Sequence, residues 1–175
     1  AAEVKNRDGR VIVYTDGSCR RNSCKQLRRA GCGGFWGVNH PANFSIPLAG
    51  WSQTNQRAEL NAVLRVMKTD ERRLEIRSDS QYVLTGIARH EMWARRGWRG
   101  DNSDLWNEVS SLLADFPDRV CFTKVKAHCT WTDVERGTIS MMDKIGNSRA
   151  DALAVDASLN RDFPPDIVQE VEDTR

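Results

Sequence analysis

In "RVIVYTDGSCRRN", residues 10–22, a run of strand-forming residues from Val11 to Tyr14 breaks off at Thr15-Asp16-Gly17-Ser18. Asp and Gly are favoured where a chain turns, so the simplest reading is a strand that ends in a turn. A sharper one is that the strand delivers an ionised carboxylate to a site, and that reading needs partners elsewhere.

Working outward, the first part of the chain alternates in the strand manner. Val11 to Thr15 reads as one strand, about Gly33 to Val38 as a second and Phe44 to Trp51 as a third. The glycines of "AGCGGFWG" suit a strand pressed by a neighbouring backbone. The period then changes. In "NQRAELNAVLRVMK" the apolar Leu60, Val63, Leu64 and Met67 form a helical stripe, with Thr54 or Asn55 as cap. "RLEIRSD" (73–79) reads as a strand, "SQYVLTGIA" as a helix capped by Ser80, and "SDLWNEVSSLLADF" (103–116) as a helix closed by Pro117. "RVCFTKV" is a fifth strand and "NSRADALAVDAS" a last helix. The order predicts an α/β fold: a five-stranded mixed sheet, its first three strands antiparallel, flanked by helices. One domain over 10–161 is expected, after an N-terminal extension (1–9) and before an acidic tail (162–175) read as flexible.

The net charge of +2 hides an asymmetry. Residues 1–100 carry 18 Lys and Arg against 9 Asp and Glu, whereas residues 101–175 carry 8 against 15. Arg20-Arg21, Arg28-Arg29 and Arg95-Arg96 point to an anionic partner. The five cysteines are an odd number without a C-x-x-C pair. That argues against a disulfide framework or a zinc ribbon and for reduced thiols in an intracellular compartment. No apolar run approaches 18 residues, so no membrane span is expected.

Four carboxylates stand out by position: Asp16 at the first strand's end, Glu59 in the first turns of the long helix, Asp79 at the fourth strand's end, and Asp151 in the first turns of the last helix. Strand ends and helix starts converge at one edge of such a sheet. Like charges held together are unfavourable unless cations neutralise them. An oxygen donor set favours Mg²⁺ or Mn²⁺ over zinc.

The blocks "YTDGS", "QTNQRAEL", "RSDSQYV", "VKAH" and "GNSRADALA", in that order from Val11 to Ala157, resemble type 1 ribonuclease H. The resemblance implies the ribonuclease H-like fold and an endonuclease using two Mg²⁺ ions, or Mn²⁺, to cut the RNA strand of RNA·DNA hybrids. It places the metal-binding cluster on Asp16, Glu59, Asp79 and Asp151, and the family's mobile histidine on His128. Asn22, Asn55 and Gln56 match residues that contact RNA; Thr54 and Asn102 match residues that hold a DNA phosphate. "HEMWARRGWRGDN" resembles a basic protrusion, with Trp93, Arg95, Arg96, Trp98 and Arg99 as substrate contacts; packing of both tryptophans into the core is the competing reading. The sequence departs from the family at Ser52, where arginine is frequent, at His90, where tryptophan is frequent, and at 129–146, read as a long retroelement-like loop. The resemblance fits a monomer, either a free enzyme or a domain of a polyprotein or reverse transcriptase. The alternative is a non-catalytic nucleic-acid-binding module on the same fold, which the presence of all four acids disfavours.

Overall fold

A computed structural model of the protein describes residues 3–21, 24–159 and 165–174. Its sheet is built from β1 (Val11–Arg20), β2 (Arg29–Phe35), β3 (Phe44–Pro47), β4 (Leu74–Ser78) and β5 (Val120–Lys124), in the order β3-β2-β1-β4-β5. β1 is antiparallel to β2, as β2 is to β3, whereas β4 runs parallel to both β1 and β5. The helices are α1 (Asn55–Thr69), α2 (Gln81–Arg95), α3 (Ser103–Asp115), α4 (Trp131–Glu135), α5 (Met141–Leu159) and α6 (Pro165–Asp173).

Alternation along β1 sends its side chains into two cores. Val11 and Val13 pack with Leu60, Val63 and Met67 of α1 and with Leu74 and Ile76 of β4. Ile12 and Tyr14 face the other way, toward Phe35, Ile139 and Ala150 of α5. Burying each large aliphatic side chain contributes about 1.5–3 kcal/mol before entropy is counted. α1 and α5 therefore clamp β1 from opposite faces.

β1 outlasts the expected strand. Its parallel pairing with β4 ends at Thr15 opposite Ser78, but its antiparallel pairing with β2 continues to Arg20 opposite Arg29. Asp16 thus stands inside β1, at the step where β4 gives out, rather than at a turn. The turn residues of "TDGS" are overridden by a partner strand that starts at Arg29, ahead of the expected Gly33.

Three further expectations change. α5 begins at Met141, so Asp151 lies in its third turn and not at its start. The segment 129–146, read as a loop, is occupied by α4, whose N-terminus carries a Thr130–Asp133 capping box, and by the first turns of α5. Tyr14 Oη donates to Asp143 at 2.6 Å and Arg77 reaches the same carboxylate at 2.7 Å, bolting those turns to β1 and β4. Within the tail read as flexible, 165–173 forms α6; Val168 and Val171, three residues apart on one face, pack against Cys24 and Leu27.

Candidate active site

Gly17 explains why the acid in β1 is followed by glycine. A Cβ there would lie 2.4 Å from Glu59 N and 2.7 Å from the Ala58 carbonyl carbon. Lacking it, α1 rests directly on β1 and Glu59 comes beside Asp16. On the other face, a Cβ at Gly33 would lie 2.3 Å from Ala150 O. The glycines of β2 thus admit α5 at backbone distance and bring Asp151 toward the same edge. Asp79 follows Ser78, the last residue of β4.

One carboxylate oxygen from each of Asp16, Glu59 and Asp79 falls in a group whose members all lie within 4.8 Å of one another. Asp151 is more exposed and falls outside that group, yet its charge and a hydrogen bond reach Asp16. Burial, then the charge of Asp79, pushes the Asp16 carboxyl up to about 9, against the opposing pull of the Gly17 N–H at 2.8 Å. Burial also raises Glu59, opposed by a hydrogen bond from Ser80 and supported by the charge of Asp79. Both Glu59 oxygens are held: Ser80 Oγ donates to Oε2 at 2.5 Å and Asn55 Nδ2 to Oε1 at 3.1 Å.

Sequence reasoning left three supports unassigned. Asn147 Nδ2 donates to Asp79 Oδ2 at 3.2 Å, while its own Oδ1 is buried with no hydrogen-bond partner. Ser80, read only as a helix cap, both caps α2 and orients Glu59. Lys124 Nζ donates to the Asp79 carbonyl oxygen. The spacing of Asn147 four residues ahead of Asp151, on one face of a helix, was the available signal.

The acids line a cleft of about 550 Å³ with Ser18, Asn55, Gln56, Tyr82, His128 and Asn147. His128 is exposed at its rim and adopts a left-handed backbone, φ 55°. Thr54 caps α1, its hydroxyl accepting from Arg57 N at 3.1 Å. Asn22 lies outside the described residues.

A second cavity, of about 720 Å³, shares Tyr82 with the first and is lined by Trp93, Arg96, Trp98, Arg99 and Trp106. Trp98 stacks on Trp106 with ring centres 6.5 Å apart, and Trp93 meets both edge-on. The core-packing reading of these tryptophans holds in part: each is half-buried against the core, and each also lines the cavity. Arg95, Arg96 and Arg99 are exposed. Asn102 is buried, its amide donating to Tyr82 Oη at 3.1 Å and accepting from Arg57 at 3.3 Å. Its side chain therefore braces the cavity wall.

A parallel-and-antiparallel sheet of this order, with three carboxylates gathered where β1 outruns β4, defines the ribonuclease H-like class of nuclease folds. The RNase H family model matches residues 8–159, and the chain belongs to that family. It is 38% identical over 152 residues to Ribonuclease H of Schizosaccharomyces pombe, covering 83% of this chain and 52% of that protein. Ribonuclease H of Neisseria meningitidis is 36% identical over 141 residues, covering 74% of this chain and 90% of that one. Mouse Ribonuclease H1 is 42% identical over 111 residues, which is 60% of this chain and 38% of the mouse protein. The chain thus spans about half or less of the eukaryotic relatives named here. Among solved structures, the RNase H domain of prototype foamy virus shares the fold, with a TM-score of 0.63 at 24% identity over 85% of this chain and 93% of that one. A foamy viral protease-reverse transcriptase in complex with RNA/DNA hybrid gives 0.64 at 22%, over 84% of this chain and 20% of that one.

Proposed function

We propose that this chain is an endoribonuclease that hydrolyses the RNA strand of RNA·DNA hybrids with two Mg²⁺ ions, leaving 5′-phosphate and 3′-hydroxyl ends. One observation carries it: three carboxylate oxygens within 4.8 Å at the floor of an open cleft. The donor set fits a hard cation. Among the described residues no ion pair reaches Asp16, Glu59 or Asp79, burial and then the charge of Asp79 push the Asp16 carboxyl up to about 9, and the buried Asn147 Oδ1 beside them lacks a hydrogen-bond partner. The names of the relatives supply the substrate class.

When bound, divalent ions of this kind lower the pKa of water and neutralise charge on phosphoryl oxygens. The chain's own residues do the rest. Asp16, Glu59, Asp79 and Asp151 hold the ions; Ser80 and Asn55 orient Glu59, and Asn147 orients Asp79. Asn55 and Gln56, exposed at the start of α1, face the RNA strand from the cleft wall. His128 at the rim moves a proton to the leaving 3′-oxygen or aids product departure. The half-buried Trp93 and Trp98, with Arg95, Arg96 and Arg99, lie along the phosphate backbone of the substrate, and Thr54 and Asn102 help hold a DNA phosphate.

The free domain is read as a monomer, and the odd number of cysteines without a C-x-x-C pair favours a reducing, intracellular setting. No described helix is long and apolar enough to cross a membrane. The retroelement reading of 129–146 rests on its length and on the foamy viral likeness. The test is incubation with end-labelled RNA·DNA, RNA·RNA and DNA·DNA duplexes in Mg²⁺, Mn²⁺ or EDTA. Cleavage of the hybrid's RNA strand alone, lost in EDTA, is expected; binding without cleavage in either metal refutes the nuclease.

A further inference from the structure

Trp51 is fully exposed, at 102%, whereas Trp36 and Trp106 are at 3% and 2%. It stands in the connection between β3 and α1, four residues ahead of Asn55, whose side chain lines the acidic cleft. The two Cα atoms are therefore at most about 14 Å apart. The connection is clamped on both sides of the indole. Gln53 is 6% exposed, and its Nε2 donates to Leu48 O at 2.9 Å and to Gly50 O at 2.8 Å. Its Oε1 accepts from Ala30 N at 2.8 Å, and Leu48 N donates to Ala30 O at 2.9 Å. Gly50, at φ 92°, makes a bend that a side chain would strain.

These bonds tie the Trp51 segment to the end of the sheet where Arg20 pairs with Arg29, with Arg21 and Arg28 adjoining. An indole held out by a fixed backbone, next to the cleft wall, has the makings of a nucleic-acid contact: an exposed π-face for a base or sugar. The rigid presentation lowers the ordering cost on binding. The neighbouring Ser52 brings no charge, so this corner depends on stacking.

We infer that Trp51 is a substrate-positioning residue that stacks on a nucleotide of the hybrid just outside the scissile step. This rests on the nuclease reading above. The test uses Trp51→Ala and Trp51→Phe, each made in the parent and in Asp16→Asn, whose lack of cleavage permits equilibrium binding in Mg²⁺. By anisotropy with a labelled RNA·DNA hybrid, Trp51→Ala is expected to weaken binding about 5- to 150-fold, the range for one lost base–aromatic stack. Trp51→Phe should retain most of the affinity. The dependence of log Kd on log salt should not change, because no phosphate contact is lost. In the cleaving protein, KM should rise with kcat unchanged. Binding by Trp51→Ala within twofold of the parent overturns the inference, as does a shallower salt slope or an alanine effect confined to self-association in gel filtration. If the parent neither binds nor cleaves the hybrid, it is the nuclease reading that fails.

Discussion

Gly17→Ala probes the contact that assembles the acids. The added Cβ would sit 2.4 Å from Glu59 N, 2.7 Å from the Ala58 carbonyl carbon and 2.9 Å from Ala58 Cβ. Ordinary contact begins near 3.4 Å, so α1 and β1 must part by about 1 Å. β1 is held at this point by its pairing with β2, Gly17 opposite Cys32. The movement falls on α1, and Glu59 is carried away from Asp16. Overpacking of this kind costs about 1–3 kcal/mol. Misplacing a catalytic group by about 1 Å costs on the order of 10²-fold in rate. Thermal unfolding followed by circular dichroism gives the first quantity. Single-turnover hybrid cleavage, well below the melting temperature, gives the second, and calorimetric Mg²⁺ titration should show weakened affinity. A folded Gly17→Ala protein that cleaves within threefold of the parent would refute the claim that this backbone contact sets the carboxylate spacing.

Asp16→Asn should abolish cleavage and stabilise the metal-free protein increasingly as pH rises. The folded carboxyl titrates near 9 and the unfolded one near its ordinary 3.8, so between those values the folded chain holds a proton that the unfolded chain has released. Raising pH through that window therefore destabilises the parent, and the melting-temperature difference in EDTA should widen from pH 5 to pH 9; a constant difference contradicts the buried-acid account. Replacing Arg95, Arg96 and Arg99 together by Ala should lower the salt slope of hybrid binding by roughly 2–3 units, at about 0.7–0.9 per phosphate contact, and an unchanged slope removes them from the binding surface. His128→Ala should slow turnover by no more than about 10²–10⁴-fold, whereas Asp151→Asn should be near-total; equal loss in steady-state assays would place His128 among the ion-holding groups.

What the sequence determined by itself is what local chemistry determines. The switch from period two to the Leu60–Val63–Leu64–Met67 stripe marks α1, and the Thr54 and Ser80 caps are satisfied as their residue types require. The carboxylates of Asp16 and Asp79 were legible because a charged residue ending an apolar run needs a reason, and that of Glu59 because it lies beside the apolar stripe of α1 rather than opposite it. Distances belonged to the tertiary structure. Whether Asp16 ends a strand or stands inside one depends on β2, which pairs past the point where β4 stops. The start of α5 depends on Asp143 meeting Tyr14 and Arg77, groups more than 60 residues away in the chain, and this moves Asp151 into a third turn. α6 forms where a short apolar face finds Cys24 and Leu27 to cover it. The half-burial of Trp93 and Trp98, and the engagement of Asn102 with Tyr82, follow from the packing of α2 on α3. Periodicity and capping act over one or two turns of chain and are written in order along it. The closeness of two carboxylates is set by backbones meeting where glycine leaves room, and the residue that decides it need not neighbour the residue it places.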